Sequence, residues 1–407
     1  MAVPFGPDGD SIMVWAVLLC FGVLVWLAYR LGAELFSPAV GVVTALVVLT
    51  RPALERDALL GYQDTPFAVL IVWAVLLESR RPKRGTPVLV LLAVAGLMRP
   101  EAWALAGLYA LYMWRGASNR ERAVYAGLTA AAPLLWALMD WLVTGDALHS
   151  LHGTAALAET VDRRRDPLTG PYWTAKYLGY TLREPLVVGI PIGLVFAYRQ
   201  RLRGAILPLA VTAAMLAVFL ASPLFGLPLI GRYVRTPAVL LALFYGLAVL
   251  GWRMLPPGDQ RRRWAIAGVL AASLSLAWLP WHVKMLSSLD DRLVYQGAYY
   301  RDLREVGRAP AVRALLGRCG PIATADHRPI PHLRWWLGDA GEPGTVAPVV
   351  DRAATRGSQL ALLPRRTRRM RRFYRENFPT AKRPAGSQLL YRNASWRVFA
   401  AAGCARR

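Results

Sequence analysis

Long apolar runs alternate with short polar breaks over the first two thirds of the chain. The runs cover roughly 11 to 28, 36 to 50, 65 to 78, 86 to 98, 102 to 114, 123 to 143, 186 to 198, 205 to 224, 236 to 252 and 264 to 281. Such a series is too apolar and too broken for one water-soluble core, and it predicts about ten helices with the bilayer as their solvent. Several runs fall short of the ~20 residues that a straight span needs at ~1.5 Å rise per residue across ~30 Å of hydrocarbon. Tilted helices or recessed ends are therefore expected.

After Trp281 the pattern changes. CGPIATA, TVAPVV, SQLALL, QLLYRN and WRVFAA read as short strands, and the segments around 292 to 306, 331 to 338 and 365 to 378 read as helices. The expected architecture is a polytopic α-helical membrane domain over 1–284 and a small soluble α/β domain over 285–407.

Composition agrees with this division. The 407 residues are 55% hydrophobic and include 34 Gly and 29 Pro. The net charge of +24 would suit nucleic acid, but the cations lie between apolar runs and in the C-terminal third, where membrane topology explains them.

The loops set the orientation. One set holds Arg30, then Arg80, Arg81, Lys83 and Arg84, then Arg115, Arg120 and Arg122, then Arg199, Arg201 and Arg203, then Arg253, Arg261, Arg262 and Arg263. Against these fifteen cations stand only Glu34, Glu78, Glu121 and Asp259, which makes this set cytoplasmic. The alternate loops mix signs and should face outward. The last span then exits outward, so the C-terminal domain is expected outside the cytoplasm, and ten spans put the N-terminus outside as well. Asp8 and Asp10 stand where a basic n-region would open a cleavable signal peptide, so the first run reads as retained.

Two cysteines, Cys319 and Cys404, bracket the C-terminal domain. In an exported domain they are permitted to form a disulfide tying its first strand to its last, with free thiols as the alternative. The run Arg365 to Asn377 suits docking on anionic headgroups or a solvated basic helix equally.

Candidate chemistry concentrates in the outer breaks. Arg99-Pro100-Glu101 sits between two short apolar arms with basic clusters beyond them, which makes it the tip of a hairpin sunk toward the membrane interior. Burying Arg and Glu there costs several kcal/mol unless they pair or line a wet cavity. They are functional candidates on that ground, with a helix-capping pair as the alternative.

Asp64, ahead of Thr65-Pro66, is a second acidic candidate, and it also fits an ordinary helix N-cap. Arg232, Tyr233 and Arg235 fit a phosphate at headgroup depth or an interfacial anchor. Asp140, Asp146, His149 and His152 offer a His-x-x-His beside carboxylates, which partly fits a divalent metal, with loop hydrogen bonding as the alternative. No P-loop, Rossmann fingerprint or zinc-protease helix is present, so a soluble nucleotide is not indicated as the direct substrate. No fixed-period repeat or inverted pair of broken helices appears either, which weighs against the commonest secondary-transporter designs.

Taken in order, Gly61-Tyr-Gln-Asp64-Thr-Pro66, Leu-Met-Arg99-Pro-Glu101, Thr144-Gly-Asp146, Arg232-Tyr233 and the C-terminal domain resemble the polytopic GT-C glycosyltransferases. That superfamily includes protein O-mannosyltransferases and aminoarabinose transferases. The resemblance implies transfer of a sugar from a polyprenyl-phosphate carrier to a glycan, lipid or protein acceptor at the outer face of the cytoplasmic membrane. It implies an outer-loop carboxylate as general base and Arg residues on the leaving lipid phosphate.

On this reading Asp64 and Glu101 are the catalytic candidates, and Arg99, Arg232, Tyr233, Asp146 and His149 the substrate-binding ones. No cofactor is implied beyond that candidate divalent metal. The chain departs from the family at its start, where the helix that precedes the usual catalytic Asp is missing. Asp8 and Asp10 stand at the tail of that loop, and an upstream start or a truncation is expected. The alternatives in function are a transporter or flippase for a lipid-linked or anionic solute, and a non-catalytic assembly protein.

Overall fold

A computed structural model describes residues 9–160, 163–316, 319, 322–337, 346–347, 360–374, 383 and 385–405. The chain divides into two compact units, Met1–His282 and Val283–Arg407. The first is helical: α1 (Gly9–Leu35), α2 (Pro38–Leu49), α3 (Pro52–Leu59), α4 (Asp64–Arg80), α5 (Thr86–Met98), α6 (Glu101–Trp114) and α7 (Asn119–Thr144). Then come α8 (His149–Thr160), α9 (Gly170–Leu182), α10 (Glu184–Arg199), α11 (Ile206–Ala221), α12 (Arg235–Leu250) and α13 (Asp259–Ala277).

All ten apolar runs fall on helices. The additional helices α3, α8 and α9 occupy stretches that read as loops, because each is too short or too polar to register as an apolar run. Among the described residues, four helical segments are long and apolar enough to cross a membrane, and up to seven are if each bent pair counts as one span. The shortfall against ten has a physical cause. Helix α5 has 13 residues and α6 has 14, each only ~20 Å long at ~1.5 Å per residue.

Local chemistry sets the helix ends. Ser37 accepts the Val40 N–H ahead of Pro38, and Ser118 and Glu121 form a reciprocal capping box at the start of α7. Gly61, at φ +68°, ends the α3 turn in the left-handed region that other residues enter at a cost, and it redirects the chain into α4.

Helix α12 is the hub, buried at every position from Arg235 to Val249 except Leu241. Leu240, Leu243, Phe244 and Leu247 pack against α1, α2, α4 and α10 in one cluster that includes Leu24, Val48, Val72 and Ile190. Leu19, Leu111, Val143 and Leu270 are exposed on the bundle surface, as side chains facing lipid would be. Small residues allow the close approach. A Cβ added to Gly193 of α10 would sit 1.7 Å from the Phe244 carbonyl oxygen. Gly193→Ala is therefore expected to destabilise the bundle by about 1–3 kcal/mol, read as a lower unfolding temperature in detergent. An unchanged temperature would mean that α10 and α12 do not meet there.

The second unit begins within α14 (Leu279–Arg308), followed by α15 (Pro310–Leu316), β1 (Ile322–Thr324), α16 (Ile330–Leu337), β2 (Val346–Ala347) and β3 (Leu360–Pro364). Next are α17 (Arg368–Tyr374), β4 (Gln388–Arg392), β5 (Trp396–Ala400) and α18 (Ala402–Ala405). The sheet order is β2-β1-β3-β5-β4. β1 runs parallel to β2 and β3, and β5 runs antiparallel to β3 and β4.

Each strand falls on a segment that reads as a strand. Alternation is weak because β3 is buried on both faces. Tyr299, Leu303, Val306, Leu362, Met370, Trp396 and Val398 form its core. Cys319 and Cys404 are joined, with Cα atoms 5.6 Å apart, linking a position three residues ahead of β1 to the helix after β5. Of the segment 365 to 378, the helical part described is Arg368–Tyr374, and residues 375–378 lie outside the described residues.

Candidate active site

The breaks before α4 and between α5 and α6 meet at one end of the helical unit. Arg99 is the residue after α5, and Glu101 is the first residue of α6, so the two flank the hairpin tip. Asp64 opens α4. Its N-cap position is taken by Gln63, which makes no side-chain capping bond, so Asp64 is not the cap itself.

The Arg99 guanidinium sits between the two carboxylates. It donates through Nη1 to Asp64 Oδ1 and through Nη2 and Nε to Glu101. Its faces lie against the rings of Phe67 at 5.0 Å and Tyr233 at 4.4 Å. All three charged residues are buried. The second Asp64 oxygen, Oδ2, is buried and makes no hydrogen bond. A buried carboxylate with one lone acceptor is costly, and the cost falls when a ligand hydroxyl donates to it.

Arg232 stands beside this triad, its charge acting on Asp64. It lies in the 3₁₀ turn Gly231–Val234 ahead of α12, half-buried, with its guanidinium 5.8 Å from the ring centres of both Tyr62 and Tyr233. Among the described residues it has no ion-pair partner. Its donors are thus available in a way that those of Arg99 are not.

A second charged group lies next to the first. Arg235 donates to Asp57 Oδ2 at 2.9 Å and to the Thr181 hydroxyl. Arg56 Nη2 reaches Asp57 Oδ1 at 2.6 Å. Arg51 donates to the Leu182 carbonyl at 2.7 Å, joining the end of α2 to the end of α9. The two ion-paired groups, leaving aside Arg51, whose donors go to backbone carbonyls and a hydroxyl among the bonds described, hold the carboxylates Asp57, Asp64 and Glu101 and the guanidiniums Arg56, Arg99 and Arg235. Arg232 beside them adds one formal positive charge, which suits an anionic ligand.

Sequence reasoning passed over Asp57, Arg56, Tyr62 and Thr181. For Asp57 the available signal is an Asp beside Arg56 in a short polar helix, and for Tyr62 its place in the Gly61-Tyr-Gln-Asp64 turn. Nothing in the sequence marks Thr181.

The other end of the unit carries a different acidic residue with a structural task. Buried Glu78 accepts the Lys83 and Arg84 N–H groups at 2.7 and 3.2 Å and the Tyr109 hydroxyl at 2.6 Å, holding the turn between α4 and α5.

Asp146 and His149 lie apart from the triad in their contacts. Asp146 follows α7, where the Leu148 N–H and the His152 ring hold its carboxyl below the usual range. His152 Nδ1 is 2.7 Å from Asp146 Oδ2. Asp140 takes up Ser150 through both its backbone N–H and its hydroxyl, at 2.7 Å each. His149 begins α8, a helix the sequence reading did not place. No group of three or more His, Cys, Asp or Glu among the described residues is arranged to hold a metal ion. Asp8 lies outside the described residues, and of Asp10 only the backbone is described.

Short apolar arms around a buried Arg, a central buried helix and a mixed C-terminal sheet are together a specific architecture. The crystal structure of ArnT from Cupriavidus metallidurans bound to undecaprenyl phosphate matches 95% of this chain and 83% of that one, at TM-score 0.55 and 14% identity. The chain shares the fold of ArnT. The apo form of ArnT from the same organism matches 97% of this chain and 83% of its own length, at TM-score 0.52 and 13% identity. No family model matches the sequence, and no curated protein matches it. With the ArnT fold and its apolar helices, the chain is a multi-pass membrane protein.

Proposed function

We propose that the chain is a glycosyltransferase of the cytoplasmic membrane. It moves a sugar from a polyprenyl-phosphate carrier to an acceptor at the outer face. The observation that carries this reading is the buried Asp64–Arg99–Glu101 triad with an unpartnered Asp64 oxygen, beside an Arg232 that has no ion pair among the described residues. The fold of ArnT, a protein solved with undecaprenyl phosphate bound, supports the choice of donor class. The basic loops support the sidedness, because Asp64, Arg99 and Arg232 all belong to the loops of mixed charge. The Cys319–Cys404 link supports an extracytoplasmic C-terminal domain, since disulfides persist where thiols are not kept reduced.

In the proposed reaction, Asp64 Oδ2 accepts the proton of the acceptor hydroxyl as its oxygen bonds to the sugar's anomeric carbon. The bond from that carbon to the phosphate oxygen breaks, and the electron pair stays on the lipid phosphate. Arg232 meets that charge with a forked pair of donors, against the Tyr62 and Tyr233 rings. Arg99 holds Asp64 and Glu101 in place and does not itself face the phosphate. Asp146 and His149 serve the acceptor side through the surface of the 144–149 turn.

Purified protein offered a panel of radiolabelled polyprenyl-phosphate sugars, with cell-envelope extract as the acceptor source, should move label off the lipid for at least one donor. Retention of label on every lipid would sink the reading. Arg232→Ala is expected to lower kcat/KM for the donor by on the order of a hundredfold, with an unchanged unfolding temperature in detergent. Unchanged donor kinetics would remove Arg232 from the site.

A further inference from the structure

The C-terminal unit holds a second concentration of positive charge that the transfer chemistry does not use. A cleft of ≈ 730 Å³ opens between α14 and α17, and five of its eight lining residues are Arg292, Arg366, Arg368, Arg371 and Arg372. The only acid among them is Asp291.

Arg372 is fixed in place, since its Nη1 donates to the Tyr295 hydroxyl at 2.6 Å and its guanidinium lies 5.4 Å from that ring's centre. The half-buried Arg292 carries a buried Nε–H with no acceptor. Arg366, Arg368 and Arg371 are exposed and, among the described residues, have no ion-pair partner. Their neighbour Arg369 differs, lying 3.8 Å from Asp302. Four unpaired guanidiniums around one cleft repel one another, and a buried N–H without an acceptor costs free energy, so the cleft is built for an anion.

The anion's chemistry follows from the donors. Arginine presents paired N–H groups that match phosphate oxygens, and five of them exceed what one carboxylate could neutralise. Its source follows from the helix. The segment Leu279–Met285 of α14 is apolar and aromatic apart from His282 and Lys284, includes the exposed Trp281, and lies three residues ahead of Ser288 at the cleft. Helices α13 and α14 together also have the length and hydropathy of a bent membrane span. Exposed Trp beside an apolar helical end is typical of the headgroup level. We propose that this cleft binds the phosphate of an anionic phospholipid headgroup, docking the C-terminal unit on the membrane surface. The proposal uses none of the residues assigned to sugar transfer, so the two readings stand or fall separately.

Native mass spectrometry of the full-length chain in neutral detergent, titrated with phosphatidylglycerol or phosphatidylcholine, tests it. The wild type should retain phosphatidylglycerol in preference. Arg366→Gln/Arg368→Gln/Arg371→Gln should weaken that binding by on the order of a hundredfold, and Asp291→Asn should strengthen it several-fold. The second variant reads in the opposite direction, so the test survives a triple variant that fails to fold. Equal retention of the two lipids, or tight binding unchanged by both variants, overturns the proposal. Glycerol 3-phosphate and inorganic pyrophosphate form the soluble arm. Displacement of phosphatidylglycerol by either at micromolar concentration would overturn the lipid source in favour of a free phosphate ligand.

Discussion

Asp64→Asn is expected to lower turnover by on the order of 10³-fold while leaving the KM for the donor nearly unchanged. The amide keeps the size of the side chain and an acceptor for Arg99, so the triad can close around it, but it cannot take a proton from an incoming hydroxyl. The residual rate should also lose its dependence on pH over the range where the wild type falls off in acid, because the group that must be deprotonated is gone. Glu101→Gln is the informative partner. Glu101 spends both oxygens on Arg99, whereas Asp64 leaves Oδ2 free, so the Gln variant should lose far less turnover. If Glu101→Gln proves the more severe and Asp64→Asn retains most activity, the base is not Asp64.

How legible this arrangement is from sequence depends on the kind of signal each residue carries. All ten apolar runs became helices, because continuous hydrophobicity is a local property read directly from composition. The Arg99-Pro100-Glu101 tip was legible for the same reason, as charge in an apolar stretch stands out and Pro marks the break. The second partner of Arg99 was not legible. Asp64 lies 35 residues away in sequence, and whether it caps a helix or pairs with Arg99 is decided by tertiary packing. Arg232 and Arg235 read alike, as two cations around a Tyr. Yet Arg235 is buried against Asp57 and Thr181, while Arg232 has no ion pair among the described residues. The helix start separates them, since Arg235 opens α12 and Arg232 stays in the turn before it. The span count was the least legible quantity, because α5 and α6 are half-length arms and bent pairs such as α2 with α3 blur what one crossing is.

Arg99→Ala should be the most destabilising single change at this end of the bundle. It leaves Asp64 and Glu101 buried with no cation between them, and breaking a buried ion pair from one side costs about 3–5 kcal/mol. It also opens a cavity between Phe67 and Tyr233, whose rings cover the guanidinium. Arg99→Lys should recover only part of the loss, because a single ammonium cannot bridge two carboxylates with the geometry of a planar fork. The double variant Arg99→Met/Asp64→Asn removes one buried charge along with its partner, so it should unfold at a higher temperature than Arg99→Ala while remaining inactive. Thermal unfolding of all three in detergent decides the matter. If Arg99→Ala unfolds at the wild-type temperature, the two carboxylates reach solvent in the folded protein, and the buried triad cannot be what holds Asp64 in place.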